Sequence, residues 1–324
     1  MFKRLVLIVV VLVHTGITAP LFAQDPEFTQ FYANPLYLNP AFAGSVRCPR
    51  ICLNYRNQWP ALNKTFITSS ASYDQHVDGI SGGLGMLVTS DKAGNGTLNT
   101  TNASLMYAYA FHPAPEFSIR VGFQGTFHQK TVDWSKLTFG DMIDPKRGFV
   151  WNTGEVPKSF PTQTVQTVDF SAGILGYSKR YFFGFSANHL TQPNESFIDG
   201  PVSKLPLKYT GHAGAMLPLH GGRSNDAFIS PNIIFQSQQN FQQLNLGVYV
   251  IKGEIVGGFW YRNQDAFIVL LGYQAGNIKC GYSYDVTVSR LANATAGSHE
   301  LSFVLQFDCR PPHKKYRLVS CPSF

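Results

Sequence analysis

Hydrophobic and polar residues alternate with a period of two along most of the chain after residue 50. Such alternation predicts β-strands with one apolar and one polar face. The polar faces contain mainly Gly, Ser, Thr and Asn, whereas strands facing water would carry more Lys and Glu. The clearest example is residues 278–288, where one face carries Ile278, Cys280, Tyr282, Tyr284, Val286 and Val288 and the other carries Lys279, Gly281, Ser283, Asp285 and Thr287.

The predicted strands are long, which favours a membrane barrel over a soluble sandwich. Most have about 9 to 13 residues, whereas soluble strands most often have roughly 5 or 6 and a tilted membrane strand needs roughly 9 to 11. The pattern therefore predicts an all-β fold, a transmembrane outer-membrane β-barrel of about 14 antiparallel strands. The strands are expected near residues 50–58, 65–74, 82–90, 98–111, 117–130, 167–176, 179–188, 206–217, 226–235, 242–251, 255–262, 266–274, 277–288 and 298–308.

The connections between these strands are asymmetric. Those after odd-numbered strands include the two longest, 131–166 and 189–205, whereas those after even-numbered strands are short, such as Gly253-Glu254. Outer-membrane barrels have long extracellular loops and short periplasmic turns. The asymmetry therefore predicts an outer-membrane location with both ends of the chain on the periplasmic side.

Composition agrees with a membrane barrel. Only 14% of the 324 residues are charged, against roughly 25% in an average soluble domain, while 44% are hydrophobic and 14% are aromatic. A barrel that is apolar outside and polar inside accounts for this combination. The formal net charge of +7 is mild and scattered, so no nucleic acid partner is expected.

Four regions are expected along the chain. Residues 1–23 have the features of a secretory signal peptide, because a positively charged start precedes an apolar run too short to span a bilayer. Residues 24–48 form an N-terminal segment, residues 49–309 the barrel and residues 310–324 a basic tail. The tail begins with two prolines that cannot extend the sheet, so it is either a solvated stub or a periplasmic contact.

The N-terminal segment contains two Asn-Pro pairs and five aromatic residues, Phe28, Phe31, Tyr32, Tyr37 and Phe42. One interpretation is a periplasmic lead-in whose prolines prevent strand pairing. The other is a plug for the lumen. Side chains fill a barrel of eight strands, and roughly 16 to 18 strands leave a water channel, so about fourteen strands should leave a lumen that needs contents.

The predicted loop 131–166 is the main candidate for binding a partner protein. Aromatic residues and arginine dominate protein-binding hot spots, and external loops carry recognition. The alternative is a self-packed loop that caps the lumen. The aspartates of the 131–166 loop do not match the spacing of a calcium-binding loop, and no metal site is predicted. The candidate partner-binding residues are Trp134, Lys136, Phe139, Asp141, Asp144, Arg147, Phe149 and Trp151.

The sequence contains no recognisable catalytic or cofactor-binding motif. His189, His212 and His299 have no Ser and Asp in matching phase, and residues 82–85 are strand glycines rather than a phosphate loop. We therefore expect neither enzymatic activity nor a cofactor. Polar residues in lumen-facing phase are instead expected to form an internal ion-pair network: Arg120, His128, Lys279, Asp285 and Glu300.

Five cysteines permit disulfide bonds at the periplasmic rim. Closure of a barrel places the start of the first strand beside the end of the last, so the candidates are Cys48, Cys52, Cys309 and Cys321. Cys48 and Cys52 cannot pair within one extended strand, since four residues span about 13 Å and a disulfide needs Cα atoms within roughly 7 Å. Cys280 has lipid-facing phase and should remain free.

Several stretches resemble the PorP/SprF family of Bacteroidota. They extend in order from about residue 24 to residue 308, nearly the whole predicted mature chain. They are Gln24–Gly44, Leu53–Pro60, Ser90–Gly94, Asp133–Asp144, Asn188–Glu195, Ser230–Asn232, Phe241–Asn245, Gly281–Asp285 and Gly297–Glu300. The resemblance implies an outer-membrane barrel attached to the type IX secretion system. Its members are associated with the delivery or surface anchoring of large secreted proteins, including gliding adhesins, and no catalytic residues come with the family.

The expected function is therefore partner binding and anchoring in type IX secretion. Loops 131–166 and 189–205 would hold the translocated end of a large secreted protein. The periplasmic termini would contact other secretion components, and outer-membrane lipid would surround the barrel. The alternative is a plugged channel for small solutes, gated by the N-terminal segment.

Overall fold

The computed structural model describes residues 25–62, 66–114, 116–150, 162–197, 202–219, 227–263, 265–288 and 296–308. Within this part of the chain, fourteen long strands form one antiparallel sheet that closes into a barrel. The strands are β1 (Arg50–Gln58), β2 (Phe66–Val77), β3 (Gly82–Ala93), β4 (Leu98–Ala114), β5 (Phe117–Asp133), β6 (Thr162–Ser178), β7 (Tyr181–Asn188), β8 (Lys208–Ala215), β9 (Ala227–Gln238), β10 (Phe241–Lys252), β11 (Ile255–Arg262), β12 (Ala266–Ala275), β13 (Ile278–Thr287) and β14 (Ser298–Gln306).

Each strand pairs with the next one in sequence, and β14 pairs with β1. The closing register runs from Arg50 opposite Gln306 to Gln58 opposite Ser298. Outside the barrel wall, Ile143–Asp144 pairs with Gly148–Phe149 in a small hairpin. The predicted all-β barrel of about 14 strands is therefore confirmed.

Side-chain alternation gives the wall an apolar outer face and a polar inner face. In β1, Leu53 and Tyr55 are exposed on the outside, whereas Arg50, Asn54 and Arg56 are buried on the inside. No helix in the described part of the chain is long and apolar enough to cross a membrane.

The hairpin of β5 and β6 extends further than alternation predicted. β5 ends at Asp133 and β6 begins at Thr162, rather than near 130 and 167. The added residues 162–166 are mostly polar in both phases, so alternation does not reveal them. Both strands have 17 residues, more than the roughly 9 to 11 that cross a membrane, so this hairpin projects beyond the bilayer.

The barrel has two different ends, which we name the loop end and the turn end. The loop end holds the long connections 134–161 and 189–207. The turn end holds the start of β1, the end of β14 and short connections such as Lys179-Arg180. In an outer-membrane barrel the end with long loops is extracellular.

Candidate functional site

The barrel interior contains residues 25–49, which we name the lumen segment. At the loop end, a carboxylate oxygen of Asp25 lies 2.9 Å from His189 Nε2. At the turn end, the backbone N–H of Gly44 donates to Asp74 at 2.9 Å. The segment therefore traverses the lumen before it joins β1. The chain before β1 thus folds back toward the loop end inside the barrel, as the plug interpretation of this segment expects.

The two Asn-Pro pairs determine the local structure of the lumen segment. Pro35 begins the short helix α1 (Pro35–Leu38) and Pro40 begins a 3-10 turn, since proline suits a first helical position where no N–H is required. The side chain of Asn39 accepts the N–H of Ala41 at 2.9 Å. The Asn39 amide also donates to backbone carbonyls of β6 and β7. These compact turns fill the lumen instead of adding a strand.

The structure places the five aromatic residues of the segment inside the barrel, where all but Tyr37 are fully buried. They pack on one another and on lumen-facing rings of the wall, and this packing is the main apolar core of the protein. Ring centroids lie 4.9 Å apart for Phe31 and Trp260, 5.3 Å for Tyr32 and Phe182, 5.3 Å for Phe42 and His212, and 5.1 Å for Phe28 and Tyr37.

Strand glycines let the lumen segment approach the wall closely. A Cβ atom at Gly122 would overlap the backbone of Pro40 and Ala41, and one at Gly83 would overlap the carbonyl of Ala43. Other lumen-facing glycines meet side chains of the segment in the same way: Gly85, Gly173 and Gly281. The segment is thus fitted to the wall at several strands.

Two charge clusters, one half-buried and one fully buried, hold the start of the segment. In the first, His189 lies between Asp25 and Asp169, at 2.9 and 2.8 Å, and Lys208 lies 3.4 Å from Asp25. Burial alone lowers the pKa of His189, but the charge of Asp25 and hydrogen bonds to both carboxylates raise it to about 10. Burial would raise the pKa of Asp25, yet His189 and Lys208 hold it well below its usual range.

The second cluster joins the segment to β1, β13 and β14. Glu300 accepts the backbone N–H groups of Thr29 and Gln30 at 2.6 and 3.1 Å. Arg56 lies 3.5 Å from Glu300 and 2.9 Å from Asp285. All three charged side chains are at most 3% exposed, so they depend on one another for compensation.

The pH dependence of stability should report the His189 cluster. Because its pKa is raised above the ordinary 6.5, protonated His189 stabilises the folded state fully below about pH 6.5, and this is lost as pH rises through about 10. We expect the melting temperature of wild type in detergent to exceed that of His189→Gln by the largest margin near pH 6, and this difference should close by about pH 10. Circular dichroism measures the two melting temperatures across the pH range.

A matched control for that experiment is His299→Gln, since His299 bonds the Tyr282 hydroxyl at 2.8 Å away from the cluster. It should melt in parallel with wild type between about pH 8 and 10. A constant margin between wild type and His189→Gln over the whole range would contradict the assignment.

The loop after β7 folds inward. Glu195 is only 6% exposed, and its carboxylate lies 2.7 Å from both Lys130 and His128 of β5. Burial would raise the pKa of Glu195, but hydrogen bonds and charge from these two residues lower it. Leu205 of the same loop is also buried. Glu195 and Leu205 line a cavity of about 180 Å³ at the loop end, between the lumen segment and the wall.

The predicted partner-binding residues fall into two groups in the described part of loop 131–166. Trp134 stacks on Phe139 at 6.4 Å, and Lys136 lies beside them, 3.7 Å from Asp133. Asp144 accepts the N–H groups of Lys146 and Arg147 in the turn of the small hairpin, where Phe149 is 47% exposed. Asp141 is in a 3-10 turn between the groups, and Trp151 lies outside the described residues.

Comparison with known proteins decides the family. The profile of the family described as type IX secretion system membrane protein PorP/SprF matches residues 21–305. The chain belongs to this family. No curated protein matches its sequence.

Solved structures with similar folds share little sequence with this PorP/SprF protein. The toluene transporter TbuX of Ralstonia pickettii is 10% identical, over 84% of this chain and 93% of that chain, with a TM-score of 0.48. A FadL homologue of Pseudomonas aeruginosa is 11% identical, over 90% and 96%, with a TM-score of 0.45. The β domain of the Bordetella autotransporter BrkA is 10% identical, over 80% and 99%, with a TM-score of 0.36.

Family and fold together locate the protein in the outer membrane, because a closed barrel with an apolar outer face is the form in which strands cross that membrane. Membership of the family also implies association with other type IX secretion components. Among the described residues, no group of three His, Cys, Asp or Glu side chains is arranged to hold a metal ion.

The rim disulfide prediction needs one correction. Cys52 is a free, buried thiol on the lumen face of β1, so its predicted part in a rim disulfide is wrong. Cys280 is free and exposed. Cys48 is disulfide-bonded, while Cys309 and Cys321 lie outside the described residues.

The predicted internal network exists in part. Asp285 and Glu300 join the second charge cluster and His128 contacts Glu195, but Arg120 donates to the carbonyl of Ala43 instead of forming an ion pair. Lys279 likewise has no ion pair among the described residues. Sequence reasoning missed several residues that make these contacts: Asp25, Asn39, Arg56, Asp169 and Glu195. A search for charged or amide side chains at lumen-facing strand positions and beside the Asn-Pro turns would have identified them as candidates.

Proposed function

We propose that this outer-membrane barrel binds and anchors a large secreted protein at the loop end and has no enzymatic activity. The observation that carries the proposal is the filled lumen. The lumen segment packs against glycines of β3 and β5 and against Trp260 of β11, so it spans the interior from wall to wall. A barrel filled in this way offers surface loops, rather than a conduit, as its working part.

The hairpin tip of the 131–166 loop supports partner binding. Ile143 is 59% and Phe149 47% exposed, beside the basic Lys146 and Arg147. Exposed apolar side chains with adjacent arginine are typical of protein-binding hot spots. Surface adhesins are the class of secreted partner that the family resemblance suggests, with other secretion components on the periplasmic side.

Affinity purification from detergent-extracted outer membranes tests the proposal. We expect a large secreted protein to co-elute in stoichiometric amount with wild type, and at least about tenfold less with the double variant Arg147→Ala, Phe149→Ala, since each hot-spot side chain contributes about 1 to 2 kcal/mol or more. The matched control is Arg180→Ala, Tyr181→Ala at the turn end, where Tyr181 is 59% exposed. It should retain the partner.

Two outcomes would contradict anchoring. One is a barrel with no partner even after crosslinking in living cells. The other is equal capture of the partner by both double variants. In the first case, steady single-channel conductance of wild type in a planar bilayer would favour the solute channel.

A further inference from the structure

The loop-end cavity contains four carboxylates, and one of them differs from the rest. Asp25 and Asp169 contact His189, and Glu195 contacts Lys130. Asp91, on β3, also lines the cavity, but its described hydrogen bond comes from the Thr68 hydroxyl at 2.6 Å, and it has no ion pair among the described residues. It is thus a carboxylate in a polar cavity without its own counter-ion.

An unpartnered hydroxyl group provides a second, independent observation. Thr89 lines the same cavity and is only 5% exposed, yet its hydroxyl has no hydrogen-bond partner in the described part of the chain. Buried hydroxyls are normally hydrogen-bonded, so this one is free to accept from a ligand or water. Thr89 and Asp91 are successive lumen-facing positions of β3, with Cα atoms about 7 Å apart.

We propose that this cavity binds a primary ammonium group, as carried by a lysine side chain. Asp91 would supply the countercharge, and the hydroxyl of Thr89 would accept a second N–H group, since an ammonium donates three hydrogen bonds and accepts none. Leu36, Leu87 and Leu98 line the cavity beside these polar groups and suit a short alkyl chain.

Size and position fit such a ligand. The volume of about 180 Å³ exceeds the roughly 150 Å³ of an engineered cavity that accommodates benzene, so a four-carbon ammonium can enter. Charge complementarity selects a cation, because every cationic side chain on the walls is engaged with Asp25, Asp169 or Glu195. If the anchoring function holds, a lysine of the secreted partner is the natural source of the group, and this last step alone rests on the proposed function.

Saturation-transfer NMR on the full-length protein in detergent tests the site with n-butylammonium chloride as the probe. We expect saturable binding of n-butylammonium by wild type, at least tenfold weaker binding by Asp91→Asn, and about threefold weaker binding by Thr89→Val. Tetramethylammonium, which carries the charge without N–H donors, should bind at least tenfold more weakly than n-butylammonium. Asp144→Asn, on the exposed hairpin, is the matched control and should bind like wild type.

Several results would overturn the site. They are equal binding of the two cations by wild type, undiminished binding by Asp91→Asn, and no saturable binding at all. Thr89→Val keeps the test decisive should Asp91→Asn fail to assemble, as judged by heat-modifiable gel migration. Since the probe is a small molecule, its failure is separate from failure of partner capture.

Discussion

Gly122→Val is expected to displace the lumen segment and to lower the melting temperature of the barrel. The new side chain would overlap the backbone of Pro40 and Ala41, which cannot rotate aside as a side chain could. The cost should reach the upper part of the overpacking range, about 3 kcal/mol, or roughly 6 to 12 °C for a domain of a few hundred residues. Circular dichroism in detergent measures the melting temperature.

Limited chymotrypsin digestion supplies the second readout, because the aromatic residues of the segment are buried in wild type and should be cleaved in the variant. The matched control is Gly211→Val on β8, where an added Cβ meets nothing within 4 Å. It should melt like wild type and leave the segment resistant. A Gly122→Val protein with wild-type melting and resistance would mean that the segment is not packed against β5.

Arg56→Met should destabilise the barrel by about 3 to 5 kcal/mol, the range for removing one partner of a buried ion pair. The variant keeps much of the side-chain volume but leaves Glu300 without an arginine, while Asp285 keeps Arg262 at 3.5 Å as its one cationic partner among the described residues. Glu300 also anchors Thr29 and Gln30, so the start of the lumen segment should loosen together with the wall. Thermal melting and chymotrypsin digestion again provide the measurements.

Lys179→Met is the control for the arginine variant. It breaks the ion pair of Lys179 with Glu116, whose side chains are 63% and 72% exposed, and such solvent-screened pairs contribute little to stability. If both methionine variants melted at the same temperature, the buried cluster would not stabilise the fold in the way the geometry indicates. Arg56→Lys, which restores the charge alone, should recover part of the loss.

The sequence predicted the wall well because strand alternation is a local property. A period of two can be read from a few neighbouring residues, and it placed thirteen of the fourteen strands to within three residues at each end. It failed at the start of β6, where Thr162 to Thr167 project beyond the membrane and polar side chains occupy both faces. Phase also identified Asp285 and Glu300 as lumen-facing, because the face of a strand residue follows from its parity.

By itself, then, the sequence determined the strands, their two faces and the family, all of which depend on neighbours in the chain or on its linear order. Tertiary structure alone decided which buried groups meet. Arg56 pairs with Asp285 across 229 positions, and Asp25 reaches Gln238 across 213. Phase cannot choose such partners, since every lumen-facing residue of fourteen strands is a candidate until barrel closure and register fix their heights. The path of the lumen segment was decided in the same way, by shape: the wall glycines leave space where Asn39 to Gly44 pass.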